Sequence, residues 1–146
     1  MKVTADQVAA LRAVLTGDLD THERVYERLD PTMRQGYLAL VTAAFFRAAE
    51  QKFKDGNRSE VVEFVEKARA RSDRLAESID PQVAEHLLMA VSTGDDIDDV
   101  APEIRGRHFI LLLTGLIVDA SLTGQALDDF LGDARELADE WLTGDN

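Results

Sequence analysis

The chain has 146 residues, of which 45% are hydrophobic and 30% charged, and its formal net charge is −12. This length supports one domain with its own core, and the balance of apolar and charged residues is that of a folded protein rather than a disordered one. The sequence holds no cysteine, which excludes disulfides, thiolate metal sites and a cysteine nucleophile and suits a reducing compartment.

Apolar spacing and helix punctuation predict an all-α fold with six main helices. The first covers about 4–16, with Val8, Leu11, Val14 and Leu15 on one face, and a short connector follows at about 20–29. The second, about 31–53, and the fifth, about 101–120, are apolar around most of their circumference, which predicts central positions. The third (58–78), fourth (81–92) and sixth (124–142) each carry an i, i+3, i+4, i+7 stripe; that of the third includes Val61, Phe64, Ala68, Ser72 and Leu75. Pro31, Pro81 and Pro102 stand where helices should begin, since a first-turn N–H is unpaired in any case. Asp30 and Asp80 precede two of them as N-caps; Thr4 with Gln7, and Asn57 with Glu60, have capping-box spacing. Gly17 and Gly94 are natural stops. No stretch alternates with period two, so no sheet is expected.

The elements recur in order. Ala13-Val14-Leu15-Thr16-Gly17-Asp18 matches Ala90-Val91-Ser92-Thr93-Gly94-Asp95 at an offset of 77, Met33-Arg34 matches Ile104-Arg105 at 71, and Glu63-Phe64-Val65 matches Asp129-Phe130-Leu131 at 66. This predicts one domain over 1–146 built from two pseudo-symmetric three-helix repeats, about 4–78 and 80–143. Small residues at matched places, Ala43-Ala44 and Thr114-Gly115, predict a close approach of the two central helices there.

Charge is uneven: residues 1–46 sum to −1, 47–74 to +2 and 75–146 to −13. A surface this acidic repels nucleic acid, whose binding depends on neutralised phosphates. The apolar run from Phe109 to Val118 is too short to span a bilayer, and no signal-like segment opens the chain, so neither a membrane partner nor export is expected and the placement is cytoplasmic.

Motifs for catalysis are sparse. His22, His86 and His108 lack metal-ligand spacing, and Asp95-Asp96-Ile97-Asp98-Asp99 lacks the glycine and glutamate of a calcium loop, so no cofactor or metal is expected. No serine lies in Gly-x-Ser-x-Gly and no glycine-rich phosphate loop exists, so an enzyme is not expected. Lys67, Arg69, Arg71 and Arg74 read as an exposed, salt-bridged face. Arg34, Arg105, Arg107 and His108 are the candidate contacts for a partner or an anion, with pairing of Arg34 and Arg105 to acidic loops as the plainer reading.

Gly36-Tyr37-Leu38-Ala39-Leu40-Val41 running into Ala44-Phe45-Phe46, then Ile79-Asp80-Pro81 and Ala134-Arg135-Glu136-Leu137-Ala138-Asp139-Glu140-Trp141-Leu142, resembles small, acidic, uncharacterised all-helical bacterial proteins, a likeness that implies the fold and no activity. The chain is also similar to TerB-like tellurite-resistance helical domains. It departs from their acidic metal site, because Ala120 follows Asp119 and Ala126 stands at the glutamate position. The function expected is a non-enzymatic protein-interaction or regulatory module, acting through its acidic second copy or the more basic third-helix face, with another protein or a second copy as partner. The alternative is a small-molecule-binding helical domain with an apolar pocket at Phe45, Phe46, Phe109 and Leu113.

Overall fold

The computed structural model describes residues 2–54 and 57–143, and every regular element among them is an α-helix. In chain order these are α1 (Ala5–Leu15), α2 (Leu19–Glu27), α3 (Pro31–Lys52), α4 (Arg58–Ala70), α5 (Asp73–Ser78), α6 (Pro81–Thr93), α7 (Pro102–Asp119) and α8 (Gly124–Thr143). The three prolines open α3, α6 and α7 as expected. The Thr4–Gln7 capping box is formed in both directions. Asp30 accepts the Met33 N–H at 2.8 Å and Asp80 those of Gln82 and Val83. Asn57 caps α4 through Ser59 rather than Glu60. Gly17 and Gly94 take the left-handed conformation, at φ 82° and 74°.

The helix expected over 58–78 is instead two. Ser72 leaves the helical path at φ −162° and ψ 159°, and its hydroxyl accepts the Leu75 N–H at 3.1 Å. A serine offers the backbone a local partner that competes with helix continuation. Ser72 is therefore exposed and Leu75 half-buried, and neither extends the buried stripe of Val61, Phe64, Val65 and Ala68. The matched segment of the second copy, α8, runs unbroken.

The chain divides into two compact units, Met1–Ala44 with Ile117–Asn146, and Phe45–Leu116. The division falls within α3 and α7, the two helices expected at the centre. In the first unit, α1 buries Ala10, Leu11, Ala13 and Leu15, and α8 buries Leu127, Phe130, Leu131, Ala134 and Ala138. Burying each leucine or phenylalanine contributes about 1.5–3 kcal/mol. The N-terminal segment is tied to α8 by the Val3 N–H on Asp139 at 2.6 Å, and α1 by Arg12 on Asp128 at 2.7 Å. Gln7, 1% exposed, accepts the Thr4 N–H at 2.7 Å and donates to the Met33 carbonyl, joining the start of α1 to α3.

In the second unit, Val61, Phe64 and Val65 of α4, Leu87 and Leu88 of α6 and Phe109, Leu112 and Leu113 of α7 form the core. Phe53 meets Phe64 edge to face at 5.7 Å. A side chain at Gly115 would stand 3.2 Å from Phe64, so the small residue on α7 makes room for that ring.

Candidate functional site

Of the four polar candidates, Arg34 falls in the first unit and Arg105, Arg107 and His108 in the second. His108 is 3% exposed, and both ring nitrogens are used inside the unit: Nδ1 meets the Ile104 carbonyl at 2.8 Å and Nε2 accepts the Asp80 N–H at 3.0 Å. A buried imidazole with both nitrogens occupied holds the fold together. Arg105 turns to the acidic loop before it, 3.6 Å from Asp98 and 3.3 Å from the Ile97 carbonyl, the plainer of its two readings. Arg107 is exposed and makes no ion pair among the described residues. Arg34 is half-buried in the first turn of α3.

Of the four apolar candidates, Phe45, Phe109 and Leu113 are buried and Phe46 half-buried. The Phe45 and Phe109 rings pack with centroids 4.7 Å apart, which leaves no gap between them for a ligand.

Arg69 departs from its expected place on an exposed ion-paired face. Its guanidinium donates to the carbonyls of Ile79 and Ala76, each at 2.9 Å. It thus satisfies backbone acceptors where α5 ends and α6 begins, a task suited to a planar fork of donors. Lys67, in contrast, does pair along the helix, 3.5 Å from Glu63.

Among the described residues, concave surface lies on α4 and α6, in the second unit. Asn57 starts α4, so Arg58 is its first residue; Asp80 and Pro81 start α6, so Gln82 follows in the first turn. Gln82, Glu85, His86 and Met89 stand at i, i+3, i+4, i+7 on α6, opposite buried Leu87 and Leu88. With Arg58 and Asp95 they line a recess of about 390 Å³. A second recess of about 350 Å³ is lined by Ser59, Val62, Glu63 and Glu66, at the same spacing on α4, and again by Arg58. His86 Nε2 lies 3.1 Å from Asp99, bridging α6 to the acidic loop. Glu85, its side chain 22% exposed, meets 74% exposed Arg58 at the long distance of 3.8 Å.

The sequence did not single out Arg58 or Glu85; it offered Asp99 only within the acidic stretch weighed as a calcium loop, and His86 was set aside for want of metal spacing. The two polar stripes were visible as periodic faces, but the bond from His86 to Asp99 spans thirteen residues between a helix and a loop, a separation no local spacing rule covers. Among the described residues no group of three or more His, Cys, Asp or Glu side chains could hold a metal ion. Within the acidic loop, Asp96 accepts the Asp98 N–H at 2.7 Å. The side chain of His22 lies outside the described residues. No helix among them is long and apolar enough to cross a membrane. Compared with protein-family models, curated proteins and solved structures, the chain matches none.

Proposed function

We propose that the chain is a non-enzymatic protein-interaction module of the cytosol whose contact face is the α4–α6 surface. The observation that carries this reading is the pair of adjoining recesses that share Arg58 and are lined by the outward stripes of two helices. His86 and Asp99 are spaced as a base and the group that orients it, but the residues lining the recess with His86 supply no hydroxyl or thiol to act as nucleophile. Solvent-accessible charged groups, exposed at Arg58, Glu63, Glu66 and Asp95 and half-buried at Glu85 and His86, suit recognition better than chemistry.

Cross-linking in cells followed by peptide mapping tests the proposal. Partner peptides, from another protein or from a second copy of this chain, are expected on residues 58–66 and 82–89. The double variant Glu66→Arg, Glu85→Arg, one change in each recess, is expected to lose them while keeping its helical circular dichroism. Cross-links that fall elsewhere, or that survive the double change at full yield, would sink it.

We also propose that the chain arose by duplication of a three-helix unit. Gly17 and Gly94, matched in sequence, both end a helix in the left-handed conformation, and Pro31 and Pro102 both open long apolar helices. Residual dipolar couplings report helix orientations in solution. The duplication requires that one rotation carry α1, α3 and α4 onto α6, α7 and α8, and orientations related by no single rotation would refute it.

A further inference from the structure

We infer that the two recesses receive the cationic side chains of a basic peptide segment, one lysine or arginine in each; this rests on the α4–α6 face being the interaction surface. Charge sets the sign of the occupant. Glu85 and Asp95 line the first recess, Asp99 stands beside His86, and Glu63 and Glu66 line the second. Against these five carboxylates stand Arg58 and Lys67, so the surface stays negative whichever protonation state His86 adopts. Each recess also has an apolar strip, Met89 in one and Val62 in the other. A lysine or arginine matches that combination, because its methylene stem lies along apolar surface while its head reaches a carboxylate.

Two features favour a linked pair of cations over a free amine. The recesses adjoin at Arg58, so one chain can fill both, and the second contact then forms at a raised effective concentration. Arg58 itself is a cation that an incoming one must displace. Its long contact with Glu85 and its high exposure make it a loosely held occupant of the site the partner takes. Removing Arg58 should therefore strengthen binding of a basic segment, the opposite of what the loss of a structural residue does.

The experiment titrates the full-length chain, isotopically labelled for NMR, with three probes: a short peptide carrying two lysines, the same peptide with both lysines acetylated, and spermidine. The lysine peptide should shift the backbone amides of residues 59–66 and 82–89, and the other two should bind about tenfold more weakly or worse. Glu85→Gln and Glu66→Gln should each weaken the lysine peptide about tenfold, and Arg58→Gln should tighten it severalfold. Circular dichroism establishes that each variant is folded. Equal binding by the acetylated peptide would overturn the basic class while leaving the interaction face standing. Equal binding by spermidine would overturn the peptide. A lysine peptide that leaves these amides unmoved, or an Arg58→Gln variant that binds it less well, would overturn the inference altogether, and cross-links on the same residues in cells would then still uphold the face.

Discussion

His108 on α7 accepts the backbone N–H of Asp80 at 3.0 Å, across 28 residues of chain, while the Asp80 carboxylate caps the first turn of α6. Its other nitrogen meets the Ile104 carbonyl, so Nδ1 is the donor and Nε2 the acceptor. Arg69 holds the Ile79 and Ala76 carbonyls from α4. The junction between α5 and α6 thus has its backbone groups satisfied by side chains of two other helices, and it sets where α6 begins and where its recess lies.

His108→Leu keeps most of the buried volume but leaves the Asp80 N–H without its acceptor. The expected loss is about 1–3 kcal/mol of stability, the cost of a donor deprived of its partner in a partly buried place. Urea denaturation measures the loss, and faster hydrogen exchange at the Asp80 amide would locate it. An unchanged midpoint would show that water replaces the imidazole there.

Ser72→Ala removes the N-cap of α5, a six-residue helix with no buried residue of its own. A lost serine cap costs about 0.5–2 kcal/mol, and a helix this short has little else to hold it. The change should appear as faster amide exchange over residues 73–78, with α4 unaffected because its Val61, Phe64 and Val65 face the core. Exchange that slows instead would mean that alanine has let α4 continue through the break.

These two residues show what was legible in the sequence. Periodicity is a property of local spacing, so the buried stripes of α4 and α8, the proline starts and the glycine stops could all be read without coordinates. Ser72 sits in register with the α4 stripe, and spacing alone cannot say that its hydroxyl will turn back on the Leu75 N–H. His108 stood out in the sequence, but its bond to Asp80 could not be read there, because Asp80 comes near only through tertiary packing. The recesses belong to the same class: each stripe is local and visible, but only the packing of α4 on α6 puts both beside Arg58.

Gly36→Ala should be destabilising although it lies within a helix. Helix propensity alone favours alanine by about 1 kcal/mol. A Cβ at Gly36, however, would stand 2.7 Å from Gln7 Nε2. That amide cannot simply move aside: Gln7 is buried, its Oε1 accepts the Thr4 N–H and its Nε2 donates to the Met33 carbonyl. Breaking either bond in the interior costs about 1–3 kcal/mol, which outweighs or cancels the propensity gain. In a Gln7→Ala background the obstruction is gone, so Gly36→Ala should become stabilising. A double-mutant cycle by thermal denaturation measures the coupling, and additive effects would show that Gln7 is not the obstacle.

Asp18 gives α2 a pH-sensitive start. Its carboxylate accepts the Thr21 N–H at 3.1 Å. Hydrogen bonds from the Thr21 side chain and then its backbone, with the nearby Arg24 charge, hold the Asp18 carboxyl below its ordinary value. The folded state therefore favours the ionised form more than the unfolded state does. This contribution is fully present above the unfolded pKa, near 4, and is lost as pH falls through the lower folded value. The Thr21 amide resonance should titrate in that acid range, and the N-terminal turn of α2 should fray with it. Asp18→Asn keeps an oxygen that can cap the helix but removes the charge, so the same amide should stay constant through the range. An asparagine variant that titrates like the parent would assign the acid transition to a different carboxylate.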